Sequence, residues 1–108
     1  MRRRTKGQRA VGLLLALHHM GYDPYEFQRY FSTWRFDIDL RWKIRKYLRA
    51  NTEWDAVQWL SYAFDEFDRL KRFSLEELMD KGWVKQSDLN FIHSIEKHLA
   101  KIRYDRPW

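Results

Sequence analysis

The chain has no cysteine. That single absence excludes a disulfide framework, thiolate zinc sites and a cysteine nucleophile. Two prolines and four glycines in 108 residues are too few for a turn-rich all-β fold. Long hydrophobic runs are also missing. The stretch Val11–Leu17 falls far short of the roughly 20 apolar residues that a bilayer span needs. No small-x-small cleavage motif follows it, since the next residues are His18, His19 and Met20. These features predict a cytoplasmic protein with no membrane partner. Glycine-rich phosphate loops, nucleophile elbows and kinase motifs are absent as well, and the expectation is a protein that is not an enzyme.

Aromatic residues are abundant by contrast, at 18% of the chain, with six Trp, six Tyr and seven Phe. With 44% hydrophobic residues overall, there is enough apolar bulk to close one core at this length. The apolar positions recur at helical spacing. Residues 8–20 are apolar on nearly all sides, as a central bundle helix requires, and Gly21 is placed to stop it. Asp23, Pro24 and Glu26 read as a start signal for Phe27, Tyr30, Phe31 and Trp34, which fall at i, i+3, i+4 and i+7. Thr52 opens a long stripe through Ala56, Val57, Leu60, Ala63, Phe64, Phe67 and Leu70. Ser74 with Glu77 forms a capping box, and Gly82 ends the short helix behind it. Ser87 or Asp88 starts a last helix carrying Phe91, Ile92, Ile95, Leu99 and Ile102.

One segment resists a single reading. Residues 34–45, WRFDIDLRWKIR, alternate apolar and charged side chains, which is a strand signal. No second strand exists to pair with it, and a lone strand leaves its backbone unsatisfied. The segment is therefore read as an extended connector over Phe36–Ile38 followed by a helix over Asp39–Ala50. The alternative is a strand near 34–40 that pairs with its twin in a homodimer. In outline, 36–70 then resembles the strand–helix–helix order of ribbon-helix-helix repressors, although its first helix would have only about eight residues. The predicted fold is all-α, a compact bundle of five or six short helices over residues 8–108, preceded by a flexible basic arm over 1–7.

Charge is distributed unevenly around a net +6. The arm holds Arg2, Arg3, Arg4 and Lys6 with no acid, and residues 34–50 hold six bases against Asp37 and Asp39. Residues 51–80 hold eight acids against Arg69, Lys71 and Arg72. A basic arm together with a basic helix is the electrostatic footprint of a nucleic-acid binder. On the helix 39–50, Leu40, Ile44, Tyr47 and Leu48 form the inward stripe, Arg41, Arg45 and Arg49 line up beside it, and Trp42 falls opposite with Lys46. A tryptophan among bases can stack on a nucleotide while the cations hold phosphates, or anchor a protein interface. The carboxylates Asp65, Glu66 and Asp68 read as a solvated face paired with Arg69 and Arg72.

The histidine pairs His18/His19 and His93/His98 are spaced i,i+1 and i,i+5, so neither presents two rings to one ion. No metal or cofactor is expected. Trp54, Tyr62 and the terminal Trp108 fall outside the core stripes and form secondary interface candidates. His93, Lys97 and Lys101 join them, because 74–103 has the outline of a helix-turn-helix whose second helix would expose them. Two functional expectations follow. The first is a small DNA-binding regulatory protein using Arg2, Arg3, Arg4, Lys6, Arg41, Trp42, Arg45, Lys46 and Arg49. The second is an adaptor or inhibitor, of the kind encoded by a phage or plasmid, acting on a host protein complex through exposed Trp, Tyr and Arg.

Overall fold

A computed structural model describes residues 4–32 and 38–104, with backbone only for 101–104. The described residues are all-helical, in seven helices with no strand: α1 (Lys6–His19), α2 (Pro24–Phe31), α3 (Ile38–Leu48), α4 (Glu53–Leu70), α5 (Leu75–Asp80), α6 (Gln86–Ser94) and α7 (Glu96–Tyr104).

Helix α1 is the centre. Every residue from Ala10 to Leu17 is buried, because this helix packs along the length of α4 and also touches α2, α3 and α6. Around it close Phe27 and Phe31 of α2, Leu40, Ile44 and Leu48 of α3, Leu60 and Phe67 of α4, Leu78 of α5, and Ile92 of α6. Burying a side chain of this size contributes about 1.5–3 kcal/mol relative to exposure, so the shared core is what holds such short helices, which are marginal alone.

The local signals act as their chemistry dictates. Thr5 accepts a bond from the Gln8 N–H at 3.1 Å, and the Gln8 side chain accepts from the Thr5 N–H at 2.9 Å, so two orphan donors at the start of α1 are satisfied reciprocally. Asp23 accepts from the N–H groups of Tyr25 and Glu26 ahead of α2, with Pro24 in the first turn. Ser74 and Glu77 form the full box before α5. Thr52 accepts from the Asp55 N–H at 3.0 Å, but Asp55 turns its own carboxylate to the Asn51 N–H at 2.9 Å.

Three sequence expectations need revision. The alternating segment is helical from Ile38 onward, so a strand reaching Trp42, and the ribbon-helix-helix outline with it, is ruled out over 38–42. Leu40 is fully buried whereas Ile38 and Trp42 are exposed, and a strand would put all three on one face. Residues 33–37, including Trp34 and most of the expected connector, lie outside the described residues. Secondly, the last helix is divided. Ile95 takes φ −112° and ψ 10° and ends α6, and α7 starts at Glu96. The break leaves Ile92, Ile95 and Leu99, at i, i+3 and i+7, all in the core. It also separates His93 from Lys97, which a single recognition helix would have presented together. Thirdly, the chain is helical from Lys6, and the Arg4 side chain is only 7% exposed in its pair with Asp88, so these two residues are tied to the fold.

Candidate nucleic-acid interface

The interface is built on α3 and the ends of α1. Its inward stripe is locked in the core, so the opposite face must look outward. Trp42 is 48% exposed and Ile38, one turn earlier on the same face, is 79% exposed. The Lys46 ammonium, one turn later, lies 4.3 Å from the centre of the Trp42 ring system, a cation–π distance.

The basic residues of α3 divide into two groups. Arg41 pairs with Glu53 of α4 at 3.5 Å, Lys43 with Asp39 at 3.2 Å, and Arg45 donates to the Asn51 carbonyl at 2.8 Å. Arg41 and Arg45 also carry buried Nε groups. These side chains hold the α3–α4 junction. Lys46 and Arg49 have no carboxylate within ion-pair distance among the described residues, and both are exposed.

Arg49 occupies an unusual backbone position. Its φ is +58°, in the left-handed region, and the Ala50 N–H reaches back to the Arg45 carbonyl at 3.0 Å. This is the closing bond of a helix C-terminal motif that glycine normally serves. The same bond closes α1 from Tyr22 to Leu17 at 2.9 Å, beyond Gly21, and α5 from Trp83 to Leu78 at 2.9 Å, beyond Gly82. Both glycines have positive φ. A non-glycine residue there costs about 1–2 kcal/mol.

Arg9 of α1 joins the cationic surface. Burial first, and then the nearby charges of Arg49 and Arg4, lower its pKa from the ordinary value. Burial is the largest cause of this shift, and the two arginines add to it because like charge disfavours the charged form. The sequence pattern assigns Arg9 no role. Its approach to Arg49 depends on how α1 crosses α3, and no local pattern encodes that crossing.

Arg4 is used differently. Its guanidinium forms a two-point pair with Asp88, 2.8 Å at each oxygen, and reaches the Trp83 carbonyl at 3.3 Å. Asp88 is fully buried. Its carboxylate also accepts the Tyr47 hydroxyl and the Lys85 N–H, the latter at 2.9 Å. Burial opposes the Arg4 charge most strongly, but its bonds to Asp88 outweigh that and raise its pKa. Burial is also the main cause that pushes the Tyr47 hydroxyl up to about 12, with the Asp88 hydrogen bond and charge adding to it. Phe91 stacks on Tyr47 at 4.2 Å. This junction ties the start of the chain to α1, α3 and α6. It was missed in the sequence, where Asp88 reads only as a helix start. Gly12 carried the signal: a Cβ there would meet Arg4 at 2.4 Å and both Asp88 and the Trp83 carbonyl oxygen at 2.8 Å. A glycine inside an otherwise buried apolar helix marks such a close approach.

The comparisons with known proteins give no relative: no family model, no curated protein and no solved structure matches this chain.

The remaining sequence candidates are dispersed. Lys6 pairs with Asp55 at 3.6 Å. Trp54 and Tyr62 are exposed on α4, at 68% and 67%. His93 pairs with Glu96 at 2.7 Å, and Lys97 is exposed. Arg2, Arg3 and Trp108 lie outside the described residues, as does the Lys101 side chain. Two expected i,i+4 pairs on α4 are replaced by i,i+3 pairs, Glu66 with Arg69 and Asp68 with Lys71. Among the described residues, no group of three or more His, Asp or Glu is placed to hold a metal ion, and no helix is long and apolar enough to cross a membrane. An open groove of about 290 Å³ runs between α1 and α4, lined by Val11, Trp59, Tyr62, Ala63 and Trp83.

Proposed function

We propose that this chain is a non-enzymatic nucleic-acid-binding protein that holds phosphates with Arg9, Lys46 and Arg49 and carries Trp42 at the centre of that surface. The observation that supports it is the outward face of α3, where Trp42 is 48% exposed under the Lys46 ammonium and both Lys46 and Arg49 are exposed; Arg9 lies near enough to Arg49 for like charge to add to burial in lowering its pKa. Folding brings these cations together against their repulsion, and Arg49 accepts a left-handed backbone to stand there. Strain held at a surface charge points to a use for that charge. Glu53 and Asp39, the acidic side chains beside the bases of α3, are each paired there, with Arg41 and Lys43, which leaves Lys46 and Arg49 to meet a polyanion.

A mobility-shift titration at two salt concentrations tests the reading. Affinity should fall as salt rises, with a log–log slope of about −0.7 to −0.9 per phosphate contact. Reversing Lys46 and Arg49 to glutamate should weaken binding and flatten that slope. Unchanged affinity and slope in the reversed variant would exclude this surface.

The groove between α1 and α4 favours a second reading, a protein-binding adaptor or inhibitor. Exposed Tyr62 with half-buried Trp59 and Trp83 along an apolar groove is the composition of an interface anchor. In that case binding changes little with salt, Tyr62→Ala abolishes it, and charge reversal on α3 is silent.

A further inference from the structure

We infer that the nucleic acid taken by this surface is single-stranded, with an unpaired base stacked on Trp42. The inference rests on the proposed phosphate-binding role of α3 and names the substrate class of that surface. Duplex readout needs side chains that reach base edges, above all arginine, asparagine and glutamine. Helix α3 contains no asparagine, glutamine, serine or threonine in its sequence IDLRWKIRKYL. Of its arginines, Arg41 is held by Glu53 and Arg45 by the Asn51 carbonyl. What the helix exposes is instead flat and apolar, with Ile38 and Trp42 one turn apart, followed by Lys46 one turn further on. A base offers a flat face of matching size only when it is unstacked from its neighbours, and in a duplex that face is hidden. An indole flanked by unpaired cations is the arrangement that holds single strands, the ring taking the base and the cations the adjoining phosphates. The Lys46 ammonium lies over one face of the ring, 4.3 Å from its centre, so a base stacking on that face displaces it, and the displaced ammonium is then free for the adjoining phosphate.

Fluorescence anisotropy with labelled oligonucleotides tests this in the full chain. Four probes are needed at one salt concentration: a single-stranded deoxyribo-oligonucleotide, the same strand as a ribo-oligonucleotide, the corresponding duplex, and an abasic single strand of equal length. The single strands should bind at least about ten-fold more tightly than the duplex and the abasic strand, the order of magnitude of one base–aromatic stack. The difference between the first two probes identifies DNA or RNA as the preferred source of the base. Trp42→Ala should lower single-strand affinity about ten-fold, to the level of the abasic probe, while leaving abasic binding and the salt slope as they were. Trp42→Phe should retain most of the affinity, which separates stacking from a loss of fold, and circular dichroism of each variant checks the helices directly. Equal, salt-dependent affinity for single strand, duplex and abasic probe would overturn the stacking inference and leave the phosphate surface standing. Absence of salt-dependent binding to every probe would overturn both.

Discussion

At the residue scale, the decisive side chains are the ones that reconcile buried polarity with a hydrophobic centre. Asp88 is the only charged residue fully buried among the described residues, and an isolated buried carboxylate is expensive. Arg4, Tyr47 and the Lys85 N–H together saturate its oxygens, which is the condition for such a group to persist. Gly12 makes the space. Gly12→Ala should therefore destabilise the protein by about 1–3 kcal/mol through overpacking, although alanine is intrinsically the better helix former by about 1 kcal/mol. A thermal melt that rose on this substitution would contradict the geometry. Tyr47 carries a pH signature of the same junction. Its folded pKa is raised to about 12 from the ordinary 10.0 of a tyrosine, so its contribution is fully present below about pH 10 and is lost as pH climbs towards 12. Ultraviolet titration of tyrosinate should reveal one late-ionising tyrosine, absent in Tyr47→Phe, and the variant should lose less of its stability across pH 10–12 than the parent does.

The element scale is clearest at the helix ends. Helices α1, α3 and α5 close with the same backward hydrogen bond, and two of the three place glycine at the left-handed position. The third places Arg49 there. Arg49→Gly should relieve the backbone and stabilise the fold by about 1 kcal/mol, while nucleic-acid affinity and its salt slope both fall. Denaturant unfolding and the anisotropy titration together check this opposition. A loss of stability would mean that the Arg49 side chain supports the fold. The element scale also explains the ambiguity of the segment around 38–42. Alternation and helical periodicity coexist there because Ile38 and Trp42 are apolar and exposed while Leu40 is apolar and buried. A binary pattern assumes that apolar means inward. A helix with large apolar residues on its outer face breaks that assumption, and the outer face is where the proposed ligand sits.

At the scale of the whole molecule, the Asp88 junction unites parts that are far apart in the chain, joining Arg4 to Asp88 across 84 positions. Removing one partner leaves the others uncompensated. Asp88→Ala should cost about 3–5 kcal/mol and should deprotect amides in α1, α3 and α6 together in hydrogen exchange, instead of in α6 alone. Protection confined to its normal pattern outside α6 would show that the junction is peripheral. The same scale sets the electrostatics. Arg4 and Lys6 are spent inside the fold on Asp88 and Asp55, and Arg41 and Lys43 on Glu53 and Asp39. Of the bases concentrated in the first half of the chain, a smaller group faces outward without a carboxylate, and Arg9, Lys46 and Arg49 belong to it.

The residue order alone carries the helical class, the stops at Gly21 and Gly82, the box at Ser74–Glu77, the Thr52 cap of α4 and the inward stripe of α3. All of these are set by residues within a turn or two of one another, where periodicity and capping chemistry act directly. It also contained the outward position of Trp42, since the phase of one stripe fixes the opposite face. Only the tertiary structure decided which cations are available, because an ion pair such as Arg4–Asp88 or Arg41–Glu53 depends on how separate helices meet. The break at Ile95 is likewise absent from the local pattern, since Ile92, Ile95 and Leu99 read as one unbroken stripe. Gly12 stands between the two cases. Its presence in a buried helix is visible in the sequence, but the partners that require its missing side chain arrive from Arg4, Asp88 and the Trp83 carbonyl, and close packing between distant segments is the one quantity that no local pattern carries.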